Sequence, residues 1–289
     1  LSNRKKAEAL LVTITFVWGS TFVIVKGALQ DASPIPFLAI RFTLAGALLF
    51  LVLGRSPLDR KAIVPGLVLG VFLFAGYLCQ TWGLLYTTPS KSAFITGFSV
   101  ILVPTILMVG GAKMRGASVA GALLGLVGIY FLVVPSGLSS VNRGDVLTLF
   151  GACSFAIHIV LVGHYTRRLA FQHLVSLQVL AVGILAFVAL PLDRAPKLDW
   201  TWGLVGAVIV TAVFATGFAF SVQNWAQQYT PPAHTALIFA LEPVFAAITS
   251  RVVLGERLGL KALLGAALVL CGMIVSELGG GTTPSPVEG

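Results

Sequence analysis

The sequence predicts an all-α integral membrane protein: ten transmembrane helices arranged as two inverted five-helix repeats around a central cavity. Three observations predict it. Only 10% of the 289 residues are charged, 57% are hydrophobic and the mean hydropathy is +0.97. A soluble domain carries roughly 25% charged residues, so too few charges remain here to cover a water-facing surface. The apolar residues gather in runs of about 20, the length that crosses roughly 30 Å of hydrocarbon at 1.5 Å per residue. Finally, the second half of the chain repeats motifs of the first.

Hydropathy places the spans at 7–29, 34–53, 62–86, 90–111, 117–135, 144–164, 173–191, 201–228, 232–254 and 258–277. Span one has a basic flank, Arg4-Lys5-Lys6, but its apolar run exceeds a signal-peptide core and lacks a small-residue cleavage site, so it reads as a span. "QDASPIP" separates it from span two, "GRSPLDRK" leads into span three, and "TTPSK" joins spans three and four. Span five runs into "VPSGLSSVNRGD", "PLDRAPKLD" follows span seven, and "YTPPAH" joins spans eight and nine. None of these loops is long enough to fold as a domain. "GGGTTPSPVEG", residues 279–289, has the composition of a disordered tail. Cys79, Cys153 and Cys271 fall inside spans and read as packing residues, with neither a disulfide framework nor a metal-ligand spacing.

The net charge of +9 does not point to nucleic acid, because the Lys and Arg residues cluster beside spans. In the first half, eight lie on the N-terminal side and three opposite; in the second half the counts are two and five. The positive-inside rule, with the first spans dominating insertion, places both termini in the cytoplasm of a cell that exposes this chain in its inner membrane.

"QTWGLLYTTPSKSAFI" at 80–95 aligns with "QNWAQQYTPPAHTALI" at 223–238, 143 positions on. Gly121, Ala122, Leu126 and Gly128 match Gly265, Ala266, Leu270 and Gly272 at 144, and Gly46 and Phe50 match Gly183 and Phe187 at 137. That last register sets Trp18 against Phe155 and Thr21 against His158. The halves are therefore 1–140 and 141–278. Five spans is an odd number, so the second half enters the membrane upside down. Such repeats underlie alternating access, in which one fold has two exchangeable shapes.

Several spans carry polar or bending residues that lipid does not favour. In "WGSTFVIVKGAL", Trp18, Ser20 and Thr21 lie too deep for an interfacial anchor; they either pack helices over Gly19 or face a water-accessible cavity. Tyr77 and Gln80 share a helix face, and their repeat partners are Phe220 and Gln223, with Asn224 beside the latter. The two Gln residues could bracket a zwitterion or hold the bundle by interhelical hydrogen bonds. His158 is either a proton carrier or a neutral, hydrogen-bonded imidazole. Thr96 and Phe239 complete the set of cavity residues. Arg41 and Glu242 are the clearest intramembrane charges, and neither should face lipid. Pro243, after Glu242, and Pro104 in span four are candidate kinks where a gate could bend. Lys26 is expected to snorkel to the outer interface, and the small residues of spans five and ten to bring those two helices together, as a packing seam or an inherited dimer ridge.

"WGSTFVIVKGAL", "IRFTLAGALLF", "LEPVFAAITSRVVLGERL" and the 5+5 layout resemble the drug/metabolite transporter superfamily, in particular the ten-helix EamA-type exporters and their YddG-like amino-acid exporter branch. The resemblance covers essentially the whole chain. It implies a helical basket with a central cavity, a monomer or dimer in the lipid bilayer, and small metabolites as cargo, often amino acids moved outward. It also implies that Arg41 and Glu242, in R-F and E-P motifs shared across cargoes, are architectural; a gating or proton-linked role for Glu242 is the other reading. No P-loop accompanies these motifs, so a substrate or ion gradient must drive transport. The expectation is a secondary transporter of amino acids or related metabolites, without cofactor or metal. The alternatives are a proton-coupled exporter of lipophilic compounds and, more remotely, a channel or an intramembrane enzyme, for which no Ser/His, paired-Asp or metal-ligand constellation is visible.

Overall fold

The computed structural model describes residues 2–53, 58–111, 116–133, 141–193 and 195–278. The 279–289 tail, most of the loop after span five, and Arg55, Lys113, Arg115 and Arg194 lie outside the described residues. The described chain is helical throughout, with one isolated bridge, Ala32 to Leu198, in place of any strand.

Several helices start where the sequence offers a cap or an N-terminal proline. α1 (Asn3–Ala28) begins after Ser2, whose hydroxyl accepts from the Lys5 N–H at 3.3 Å, and α2 (Pro34–Leu53) begins on a proline. α3 (Ile63–Gly83) follows a 3₁₀ turn capped by Asp59. α4 (Pro89–Gly97) is capped by Thr88 and continued by α5 (Ser99–Val109); α6 (Gly116–Val133) comes next. A capping box between Asn142 and Asp145 starts α7 (Arg143–Tyr165), and α8 (Phe171–Ala189) follows. α9 (Trp202–Val210), a π-helical segment (Thr211–Phe218) and α10 (Ala219–Ala226) make one continuous rod. α11 (Pro232–Phe239) and α12 (Glu242–Leu254) make another, ended by Gly255 at φ 66°, and α13 (Leu260–Leu278) closes the order. Eight of these rods are long and apolar enough to cross a membrane. α6 and α13 are two further helices.

Both spans with a candidate proline break, span nine directly before Pro243 and span four ahead of Pro104. Span four turns at Phe98, not at Pro104, which lies inside α5. The turn is tightened by i→i+3 bonds, Phe98 N–H to Ile95 O at 3.1 Å and Ile101 N–H to Phe98 O at 3.0 Å. Span nine turns at Ala240–Leu241, just before Glu242-Pro243, with the same bonding: Ala240 N–H to Leu237 O and Leu241 N–H to Ile238 O. Phe98 and Leu241 stand 143 positions apart.

Small residues set two close helix contacts. A Cβ on Gly19 would lie 2.6 Å from the Glu242 carbonyl and 2.7 Å from Phe245 Cβ, so the glycine of the W-G-S motif lets α12 rest on α1. α6 and α13 meet likewise: a Cβ on Gly128 would be 2.7 Å from Gly265 O, and one on Gly272 2.6 Å from Gly121 O. That ridge is used within the chain. Trp18 packs against both large apolar clusters, one built on α1, α5, α7, α10, α11 and α13, the other on α2, α3 and α8. It thereby marks the centre of the molecule.

Candidate functional site

A cavity lies at that centre, walled by α1, α2, α3, α4, α7, α10 and α11 and by the first residues of α5 and α12. It holds about 740 Å³ of empty space, part of it continuous with open solvent. Trp18, Thr21, Tyr77, Gln80, Thr96, His158, Gln223, Phe239 and Glu242 all line it. Ser20, Asn224, Pro104 and Pro243 do not.

The Trp18 indole N–H donates to the Ala215 carbonyl at 2.8 Å. Ala215 lies in the π-helical segment, whose widened turn offsets its carbonyls from the usual i→i−4 ladder. The indole ring meets Phe220 and Phe239 at centroid distances of 5.4 and 5.1 Å. Next to it, the Thr21 hydroxyl donates to Trp18 O at 2.8 Å, leaving its oxygen as an acceptor toward the cavity.

Arg41 is buried, 2% exposed, yet lines the cavity. Its Nε donates to Thr216 Oγ1 at 2.9 Å, and that hydroxyl donates to Thr211 O at 2.9 Å, again within the π segment. Its guanidinium carbon sits 4.7 Å from the centroid of the Tyr77 ring. Tyr77 in turn stands edge-on to Phe42 and Phe155. Arg41 and Glu242 form no ion pair, and among the described residues the Glu242 carboxylate has no hydrogen-bond or ion-pair partner.

Two amide relays back the wall supplied by the second half. His158 Nε2 and Gln178 Oε1 are 2.6 Å apart, Gln178 Nε2 donates to Asn224 Oδ1 at 3.1 Å, and Asn224 Nδ2 donates to Phe220 O at 2.9 Å. Asn224, expected in the cavity, is fully buried behind it instead: it neighbours Gln223 in the helix and so points about 100° away. In the second relay, Gln223 Nε2 donates to Gln227 Oε1 and Gln227 Nε2 to Ile159 O, both at 3.0 Å. Gln80 donates to Thr96 Oγ1 at 3.0 Å, joining α3 to α4.

Ser20 turns away from the cavity, and its hydroxyl is buried without a partner. The Lys26 ammonium donates to the carbonyls of Leu84, Leu85 and Thr87, just past the end of α3. Gln178, Gln227 and Thr216 escaped the sequence reading. The signal for Gln178 is its place 137 positions after Arg41, in the register that pairs Thr21 with His158.

Seven pairs of lining residues stand at matching repeat positions. Trp18/Phe155, Thr21/His158 and Phe22/Ile159 are 137 apart; Tyr77/Phe220, Gln80/Gln223, Thr96/Phe239 and Ser99/Glu242 are 143 apart.

A family model described as "EamA-like transporter family" matches the chain twice, at residues 5–134 and 142–278. A protein of Archaeoglobus fulgidus named "Uncharacterized transporter" is 36% identical over 282 residues, covering 96% of this chain and 87% of that one. A "Probable amino-acid metabolite efflux pump" of Escherichia coli K12 is 26% identical over 294 residues, covering 96% of each. A solved crystal structure, 19% identical in sequence, shares the fold with a TM-score of 0.70 over 94% of this chain and 97% of that one.

Proposed function

The chain belongs to the EamA-like transporter family, and from that premise we propose that it is a secondary transporter that exports amino acids or related small metabolites by alternating access. The observation that carries this reading is the set of seven matched pairs around one cavity. A binding site built from equivalent positions of two halves is what a pseudo-two-fold axis through the site produces. In this reading 1–140 and 141–278 are five-span repeats of opposite orientation, α6 and α13 are the fifth and tenth spans, and both termini are cytoplasmic in the inner membrane. The double family match and the equivalent breaks at Phe98 and Leu241 support it.

The cavity wall is mostly aromatic and apolar, with few charges, Arg41 and Glu242 among them. That suits a neutral zwitterion with an apolar side chain and disfavours polyphosphates, which need several cations. The name of the Escherichia coli relative points the same way. The test is flux into liposomes containing the purified protein, across a panel of amino acids, nucleosides and cationic dyes. Saturable flux of neutral amino acids is expected; flux that stays linear in concentration, or none for any amino acid, contradicts the proposal.

Transport runs without an obligatory ion gradient: counterflow of labelled amino acid persists with a protonophore present and pH and sodium equal on both sides. The second reading, proton coupling, has one observation in its favour, the cavity-facing Glu242 carboxylate without a protein partner. It predicts that Glu242→Gln loses gradient-driven flux and keeps exchange.

A further inference from the structure

Gln223 lines the cavity at 1% exposure, and its Oε1 is a buried acceptor without a partner. Which amide atom is left without a partner is dictated from behind. A backbone carbonyl only accepts, so Ile159 O requires the Gln227 amide nitrogen. Gln227 Oε1 is then left to accept, which requires the Gln223 amide nitrogen. The Gln223 oxygen is what remains unpaired among the described residues, on a side chain of the cavity wall. Turning the amide would set two oxygens against each other inside a fully buried relay and cost about 1–3 kcal/mol. The matching glutamine is not locked this way. Leu84 stands where Gln227 would be, and Gln80 donates to the Thr96 hydroxyl, which can either give or take a hydrogen bond.

We infer that Gln223 Oε1, locked as an acceptor by Gln227 and the Ile159 carbonyl, is the subsite for the protonated amine of the transported solute. The inference rests on the exporter reading and sharpens it: the solute must bring an N–H donor to this point. A free acceptor of this kind is costly to bury, and an ammonium supplies a charge-assisted donor. The other polar groups at hand from the same half add to the preference. Glu242 brings a carboxylate. His158 is held with its Nε2–H toward Gln178, because the relay ending on Phe220 O fixes direction by the same rule. A site that accepts hydrogen bonds discriminates strongly against analogues lacking the donor.

The test is binding of labelled leucine to the purified protein in lipid nanodiscs, competed by leucinamide, which keeps the ammonium, and by N-acetyl-leucine, which loses it. For wild type, N-acetyl-leucine should compete at least tenfold more weakly than leucine. Gln223→Leu should bring that ratio to about one. Gln227→Met, which unlocks the amide and leaves Gln223 in place, should cut it at least threefold. A ratio unchanged in both variants, or in Gln227→Met if Gln223→Leu does not fold, overturns the inference. So does a wild type that binds leucine and N-acetyl-leucine alike, as it would if Oε1 only held a water. If wild type binds labelled leucinamide but not leucine, and Gln223→Leu abolishes that binding, the subsite stands and the amino-acid reading fails. If neither compound binds, the subsite falls as well.

Discussion

Arg41 on α2 and Gln178 on α8 are 137 positions apart, the separation that also relates Thr21 to His158. One is a cation stacked on Tyr77 at the cavity wall; the other is a neutral amide, fully buried, that ties His158 to Asn224. Their surroundings differ in step. The rod facing Arg41 carries a π turn whose Thr216 takes the guanidinium bond, while α3 is regular and has the buried apolar Leu73 at the matching place. The two positions thus differ in charge and in the backbone that faces them. Two identical halves would give a cavity with two identical ends and no preferred orientation for a solute. Divergence at these positions gives the cavity wall a cation from α2 that the matching position of α8 does not supply.

Making the two positions alike should have the largest effect. Gln178→Arg buries a second cation beside His158 with no carboxylate in the relay, at a cost of about 3–5 kcal/mol. The expected outcome is loss of the monodisperse protein in size-exclusion chromatography. Arg41→Met removes the cation while Thr216 keeps its bond to Thr211, so the protein should fold. Transport of leucine should then drop at least tenfold, with leucinamide affected less. Thr216→Val keeps the cation and removes the hydroxyl that accepts its Nε–H; thermal unfolding should reveal a loss of about 1.5–3 kcal/mol.

The helix ends offer a smaller version of the same contrast. Lys91 pairs with Asp145 at 2.7 Å, and at the matching positions His234 pairs with Glu8 at 3.2 Å. Asp145 is buried and also takes bonds from Thr87 and the Asn142 N–H, whereas Glu8 is near the surface and keeps Arg4 at 2.9 Å. Lys91→Met should destabilise by about 1–3 kcal/mol, and His234→Gln by less than about 1 kcal/mol. Equal effects in thermal unfolding would mean that the two ends are not differentiated.

Much of this was legible in advance because lipid makes the reading strict. Polar atoms at mid-span must face something other than hydrocarbon, and that rule, with the repeat register, marks Trp18, Thr21, Gln80 and Gln223 as cavity or packing residues. The acceptor of the Trp18 indole was not legible, since nothing in "TAVFATGF" announces that its backbone shifts to i→i+5 bonding. The break at Phe98 lies ahead of Pro104, which stays inside α5, whereas the one at Ala240–Leu241 falls directly before Pro243, whose missing N–H leaves the Phe239 carbonyl without its helical partner. Asn224 shows the opposite failure: helical spacing alone separates it from Gln223, and applying that rule would have moved it out of the cavity. The partners of Lys26 were not legible, because the open carbonyls that hold it lie just past α3, 58 residues away.

The central claim is that this cavity is the solute's path. It is tested most directly by thiol accessibility in a background with Cys79, Cys153 and Cys271 replaced. Thr21→Cys and Gln80→Cys should react with a membrane-impermeant thiol reagent, and leucine should slow both reactions. Ser20→Cys, buried outside the cavity, should stay inert. If Thr21→Cys and Gln80→Cys are as inert as Ser20→Cys in folded protein, or react at rates leucine does not change, the cavity is packing space and the account is wrong.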